Sequence, residues 1–307
     1  MTIKVFIDGA AGTTGLEIAG RLEARGEFEL LVLGEAERKQ AGARRDAYHA
    51  ADFAVLCLPD DAAREAVALA EGAKARIIDA SSAHRVSPGW TYGFPEVVGR
   101  EAVAAAARVS NPGCYPSGFI ALVAPLVRAG LLPADWPYTV NAVSGYSGGG
   151  KALIARFEDD PDIGFRTYGL GLGHKHVPEM QVQCGLAYPP LFAPSVIPVH
   201  RGMLVEVPLP LAAMPGSGSP DALRQSLADF YAGSAIVRVH DDMPGELLLR
   251  CSASPSDRLD LHVLAAEDGS QARLVALLDN LGKGASGAAV QNLNLMAGLP
   301  EAAGLQL

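Results

Sequence analysis

The 307-residue chain contains no apolar stretch long enough to span a bilayer. It opens on MTIKVFIDGAAG, with no charged segment leading into a long apolar run, so no secretory signal is expected and a cytoplasmic location is. Basic residues are few: 25 Lys and Arg face 34 Asp and Glu, a formal net charge of −9. That balance argues against nucleic acid or an anionic membrane as the main partner, because both require a basic face. A small molecule is the expected partner instead. Cysteines number only four, Cys57, Cys114, Cys184 and Cys251, and no two form a CxxC pair. Free thiols are therefore expected, rather than disulfides or a zinc site, and no metal is assigned. Repeats and low-complexity segments are absent. What remains is 49 % hydrophobic and 19 % charged, a globular composition with enough chain for two domains.

The first part of the chain reads as α/β. Ile3 to Ile7 is a short apolar run that stops at Asp8-Gly9, the pattern of a buried strand. A glycine-rich turn follows, and then Leu16, Ile18, Ala19 and Leu22 recur at helical spacing. Further strands are expected at Phe28–Leu33, Phe53–Leu58 and Arg76–Asp79, with a crossover helix over Ala62–Ala70. Strands alternating with helices imply a doubly wound parallel sheet over residues 1–113. Beyond it, Thr139–Ser144, Val196–Leu211, Ile236–Val239, Leu259–Ala266 and Arg273–Leu278 read as strands with few helices between. An α+β domain with an antiparallel or mixed sheet is expected over 114–283, with a C-terminal helix at 284–307 packing back on the first domain.

The turn Gly9-Ala-Ala-Gly12-Thr-Thr-Gly15 follows a strand and opens a helix, which is the setting of a dinucleotide site. Gly9 permits the sharp turn, Gly12 lets a pyrophosphate approach the backbone, and Gly15 lets helix pack on strand. Free N–H groups at the helix start then face the anion, making Thr13 and Thr14 further candidate contacts. Glu35 stands about twenty residues on, where an acid would bind the ribose hydroxyl of NAD. Arg38 and Lys39 follow closely and would suit the 2′-phosphate of NADP. All three also read as a solvated charged run.

In Ser110-Asn-Pro-Gly-Cys114-Tyr-Pro-Ser-Gly118 a turn leads into a helix, placing Cys114 at the helix N-terminus. Free N–H groups and the helix dipole favour the thiolate there and can hold an oxyanion. Cys57, Cys184 and Cys251 read as ordinary small apolar residues. A cysteine nucleophile needs a proton-transfer partner. His174-Lys-His176-Val-Pro-Glu179-Met is the one histidine cluster, in a segment rich in glycine and proline. Pro178 restricts Val177 and stiffens the backbone just after His176, whereas His174 follows the more flexible Gly171-Leu-Gly173.

These segments resemble one family. SNPGCYPSG and HKHVPEM resemble the cysteine and histidine motifs of N-acetyl-γ-glutamyl-phosphate reductases of arginine biosynthesis. FIDGAAGTTGLEI, CLPDDAAREAV, IIDASSAHR, YGFPE, SGYSGGGK and NLGKGASGAAVQNLNLM resemble the short-chain type of that family, from residue 3 to about 300. Ser117 stands where Thr is usual and Met180 where Ile is usual, and neither change removes a reactive group. The resemblance implies a fold like aspartate-semialdehyde dehydrogenase and NADP as cofactor. It further implies Cys114 as nucleophile, His176 as acid and base, and a homodimer or homotetramer. It favours Arg38 as a 2′-phosphate contact, and Gly284 and Gly287 as a loop over the cofactor; position alone also allows a connector capped by Ser286. Arg85, Lys151, His174 and Glu179 are the candidate substrate contacts, Arg85 and Lys151 being equally readable as surface or salt-bridge residues. Aspartate-semialdehyde dehydrogenase and a non-catalytic NADP-sensing module are the alternatives; HKHVPE weighs against the first, and Cys114 with His176 against the second.

Overall fold

A computed structural model describes residues 2–307, and the chain divides into two units. The first comprises Met1–Gly113 and Ala285–Leu305. Its strands are β1 (Ile3–Asp8), β2 (Phe28–Leu31), β3 (Phe53–Leu56), β4 (Arg76–Asp79), β5 (Thr91–Tyr92) and β6 (Arg108–Ser110). They form a parallel sheet in the order β2-β1-β3-β4-β6-β5. Helices α1 (Thr13–Glu23), α2 (Ala41–Ala50), α3 (Asp60–Leu69), α4 (Pro95–Val98) and α5 (Arg100–Ala105) connect the strands. The last four residues of β1 and all of β3 are buried, as unbroken apolar runs covered on both faces must be.

The chain leaves β1 for β2 on one side and returns to β3 on the other. This is a topological switch point, and the crevice at the carboxyl ends of β1 and β3 is where such sheets take ligands. At that end of β1, buried Asp8 accepts hydrogen bonds from Arg44 Nε, at 3.0 Å, and from the Tyr48 hydroxyl, fastening α2 to the strand.

The C-terminal helix is shorter than expected. It runs Gly287–Met296 after a π-helical turn at Gly282–Ser286, and ends where Gly298 adopts φ +71° and Pro300 follows. Two of its buried side chains donate hydrogen bonds within the first unit. Gln291 Nε2 donates to Glu96 Oε1 at 3.0 Å, and Asn292 Nδ2 donates to Gly93 O at 2.9 Å.

The second unit comprises Cys114–Gly284 and Gln306–Leu307. It begins with α6 (Cys114–Arg128). Strand β7 (Thr139–Gly145), helix α7 (Gly150–Asp159), strand β8 (Arg166–Thr167) and helix α8 (Val177–Cys184) follow. Next come β9 (Leu191–Ile197), β10 (Met203–Leu209), α9 (Pro220–Phe230), β11 (Val237–His240), β12 (Leu259–Ala265) and β13 (Ala272–Leu278). The sheet order is β11-β12-β13-β10-β7-β9-β8. It is mixed rather than wholly antiparallel, because β7 pairs with β9, and β11 with β12, in parallel. The expected single strand over Val196–Leu211 is two strands. Gly202, at φ +107°, turns the chain between them. The alternating burial of β10 is the mark of a strand with one face on a core. Among the described residues no helix is long and apolar enough to cross a membrane.

Helix α6 is buried continuously from Tyr115 to Leu126 and packs on β10 and β13. Its closest approach is at Gly118, where an added Cβ would lie 2.8 Å from Val205 Cγ2 and 3.2 Å from Ala276 Cβ. Gly118→Ala should therefore overpack this seat and cost about 1–3 kcal/mol in urea unfolding. A stability unchanged within error would mean that the helix shifts freely on the sheet.

Candidate active site

Two sites are described separately, one in each unit. In the first unit the glycine turn lies at the switch-point crevice. Gly9 has φ +92°, and a Cβ there would stand 2.3 Å from Cys57 O, so only glycine fits. A Cβ on Gly15 would meet Gly9 O at 2.5 Å, which keeps helix and turn in contact. Gly12 differs: a Cβ there would meet only Gly9 O at 3.4 Å and Cys57 O at 3.9 Å. The fold does not require that glycine, whereas a close-approaching phosphate would. Gly12 is also the N-cap of α1 and supplies no side-chain cap. Thr13 Oγ1 is buried with no hydrogen-bond partner. An orphaned hydroxyl beside uncapped N–H groups is the donor set that a pyrophosphate satisfies, so these residues fit a dinucleotide. Arg38, exposed after β2, pairs with Glu35 at 3.1 Å, so the two candidate ribose-end residues form one ion pair.

In the second unit Cys114 is the first residue of the 15-residue α6. The other thiols are placed differently. Burial first, and then the charges of Asp79 and Asp8, push the Cys57 thiol up to about 12, while burial also holds Cys184 well above the ordinary range. Both stay protonated thiols at neutral pH. Cys251 is exposed in an irregular segment.

His174 and His176 sit together, ring centroids 4.7 Å apart. The Tyr115 ring lies 6.2 Å from the first and 5.9 Å from the second. Phe192 packs edge-on to His174 at 5.0 Å, and Tyr168 does so at 5.6 Å. The Tyr115 hydroxyl donates to Ser195 O at 3.2 Å and accepts from the Tyr168 hydroxyl at 3.3 Å. Burial, with the nearby Cys114 charge contributing, raises both phenols, Tyr168 to about 12. They remain neutral donors. Sequence reading passed over Tyr115, Tyr168 and Phe192, although Tyr115 adjoins the cysteine and Tyr168 opens the glycine run before the histidines.

The two histidines are not equivalent. His174 Nδ1 accepts a hydrogen bond from the His176 backbone N–H at 3.2 Å, which places the His174 ring proton on Nε2. His176 is the N-cap of α8 and 7 % exposed, with proline in the first turn behind it. Glu179 occupies that first turn at 1 % exposure, where it complements the helix dipole and offers a ligand almost no surface.

The remaining candidates are placed as follows. Arg85 is buried in the first unit and donates to Asn111 O at 3.0 Å and Ala80 O at 3.2 Å, so it braces backbone. Lys151 is exposed in the first turn of α7. Gly287 opens the C-terminal helix of the first unit. Gly284, in the second, packs on the cysteine: a Cβ there would lie 2.9 Å from Cys114 Cβ and 3.1 Å from Asp279 O. Its backbone N–H donates to Asp279 O at 3.0 Å, and the Asp279 carboxylate is held by Arg201 at 2.9 Å. The close approach to Cys114 gives this glycine a packing reason of its own.

Two substitutions separate these roles. Gly12→Val should weaken NADP(H) binding at least tenfold by calorimetry with little loss of stability, and unchanged affinity would remove the turn from the site. Gly284→Ala should lower kcat while leaving NADP(H) affinity within twofold, because it displaces Cys114. A loss of affinity with kcat retained would return Gly284 to the cofactor.

Residues 4–106 match the model of the semialdehyde dehydrogenase NAD binding domain, and residues 114–280 that of the semialdehyde dehydrogenase dimerisation domain. Similar curated proteins include the N-acetyl-gamma-glutamyl-phosphate reductase of Brucella ovis, 53 % identical over 97 % of this chain and 100 % of that protein. That of Trichormus variabilis is 48 % identical over 98 % and 99 %. Among solved structures, aspartate semialdehyde dehydrogenase II from Vibrio cholerae superposes with TM-score 0.71 at 20 % identity, covering 97 % of this chain and 99 % of that one. Aspartate semialdehyde dehydrogenase from Francisella tularensis gives TM-score 0.71 at 13 % identity over 96 % and 100 %; at these identities the likeness is one of fold.

Proposed function

The chain belongs to the N-acetyl-gamma-glutamyl-phosphate reductase family of semialdehyde dehydrogenases, and from that premise we propose that it reduces N-acetyl-γ-glutamyl phosphate to N-acetylglutamate 5-semialdehyde, releasing phosphate, with NADPH as reductant in arginine biosynthesis. The observation that carries this reading is a cysteine at the start of a buried helix whose next residue, Tyr115, has its ring near two imidazoles.

The Cys114 thiolate attacks the acyl carbon, and the carbonyl oxygen gains negative charge. First-turn N–H groups of α6 are the donors suited to that charge. The carbonyl reforms as the carbon–oxygen bond to phosphate breaks, leaving a thioester on Cys114. NADPH, when bound, supplies the hydride that reduces the thioester. His176 gives its proton to the resulting alkoxide, forming a thiohemiacetal. It then takes the hydroxyl proton back as the carbon–sulfur bond breaks, and the aldehyde leaves with the thiolate restored. His174, locked with its proton on Nε2, suits a hydrogen bond to substrate better than proton shuttling. Lys151, exposed at a helix start, is the proposed contact for an anionic group. Arg85 and Glu179 act as positioning residues, the first through the Asn111 carbonyl three residues before the nucleophile.

Gly9, Gly12, Thr13, Thr14 and Gly15 hold the cofactor's pyrophosphate in this reading, and Arg38 its 2′-phosphate after exchanging its bond to Glu35. The enzyme works as a cytoplasmic homodimer or homotetramer, and Phe165 and Leu170, exposed on the second unit, support association there.

The reverse reaction tests the assignment. Phosphate-dependent reduction of NADP⁺ should proceed with N-acetylglutamate semialdehyde and be at least a hundredfold slower with aspartate semialdehyde or the N-acetylated aminoadipate semialdehyde. A preference for either of the latter overturns the substrate. Cys114→Ser should abolish turnover with NADP(H) binding retained. His176→Asn should lower kcat by about 10²–10⁴-fold, with acyl-enzyme on Cys114 still visible by mass spectrometry. His174→Asn should act mainly on KM, and the opposite ranking in kcat would exchange the two roles.

A further inference from the structure

Outside both sites, two histidines and two aspartates gather at the β11 edge of the second sheet. β11 and β12 pair in parallel with His240 directly opposite His262. Alternation along β12 puts Asp260 on the same face as His262. The two imidazoles are stacked, centroids 4.4 Å apart and 13° from parallel. His240 Nε2 is bonded to Asp260 Oδ1 at 2.7 Å, and His240 Nδ1 lies 3.7 Å from Asp242 Oδ1. One nitrogen from each histidine and one Asp242 oxygen all lie within 4.8 Å of one another.

Two features of this group point to a cation. With Nε2 engaged by Asp260, His240 directs Nδ1 at the Asp242 carboxylate, 3.7 Å away. Independently, His262 is 5 % exposed and its Nδ1 is buried with no hydrogen-bond partner.

We propose that His240, Asp242 and His262 form a binding site for a divalent first-row transition ion, with Asp260 orienting His240 from behind. Two imidazoles and a carboxylate are the donor set of zinc, and a carboxylate behind a ligating histidine fixes its tautomer. Filled tetrahedral sites hold their ligand atoms about 3.4 Å apart, given metal–ligand distances of about 2.0–2.1 Å. The site therefore has to contract by a little over an ångström. Asp242 supplies most of that movement, since its side chain is 66 % exposed, and the stacked rings tilt out of parallel. The exposed Asp242 side leaves an entry path and a position for water. The ion would clip the end of β11, and the segment leaving it, to β12.

Zinc titration of the full-length protein tests this by calorimetry, with cobalt(II) as the spectroscopic probe. One equivalent per chain is expected, with visible d–d absorption and no thiolate-to-cobalt charge-transfer band, and zinc should raise the thermal midpoint. Asp242→Asn, at an exposed position that leaves folding intact, should weaken zinc at least tenfold and remove that thermal shift. His240→Asn should abolish binding, and Asp260→Asn should weaken it 10–100-fold. No stoichiometric binding, binding unchanged in Asp242→Asn and His240→Asn, or a thiolate charge-transfer band would each overturn the proposal.

Discussion

The seating of α6 on the second sheet is the constraint on which the chemistry depends. A nucleophile on a loop would move with the loop, whereas Cys114 is the first residue of a helix whose next twelve residues are all buried. Burying even half a dozen large apolar side chains contributes roughly 10 kcal/mol before entropy is subtracted. None of that requires the sulfur, so packing alone holds the position. Gly118 sets how near the helix lies to Val205 and Ala276, and Gly284 fills the space against Cys114 itself. Tyr115, carried by the same helix, ties that placement to β9 through Ser195 O and to the histidines through its ring.

Helix starts recur as the working parts. Gly12 and Thr13 open α1, Cys114 opens α6, and His176 caps α8. Each start presents the positive end of a helix dipole. The substrate, the departing phosphate and the cofactor are all anionic. A chain with a net charge of −9 can thus bind anions through local backbone rather than through a basic surface.

The parts of the fold legible in the sequence were those encoded by neighbouring residues. The strand, turn and helix around Gly9 follow from apolar runs and glycine spacing, and Cys114 at a helix start follows from Pro112-Gly113 and Pro116. What the sequence did not reveal depends on partners far along the chain. Val196–Leu211 reads as one apolar run, and its division depends on Gly202 and on β9 pairing with β7 some fifty residues earlier. Gly284 reads as part of a cofactor loop, and its approach to Cys114, 170 positions away, appears only in the folded chain. Arg85 looks like a free cation, but its guanidinium is spent on two backbone carbonyls. His240-x-Asp242 and Asp260-x-His262 are unremarkable apart, and only the β11–β12 register joins them.

Four thiols share this chain, and physical setting separates the proposed nucleophile from the other three. Cys57 is enclosed between strand ends that carry Asp8 and Asp79, so low polarity and negative charge both oppose its thiolate. Cys184 closes α8 in a fully buried position, at the end of a helix where the dipole is negative. Cys114 has the reverse of each condition: it is partly accessible, it stands at the positive end of its helix, and its neighbours Tyr115 and Tyr168 stay neutral. The same asymmetry separates the histidines, since His174 has committed Nδ1 to a backbone N–H. A ring with one nitrogen engaged can orient a ligand, but it cannot cycle between one and two protons without breaking that bond. In the proposed mechanism that bond suits His174 to orienting substrate and agrees with the assignment of proton transfer to His176.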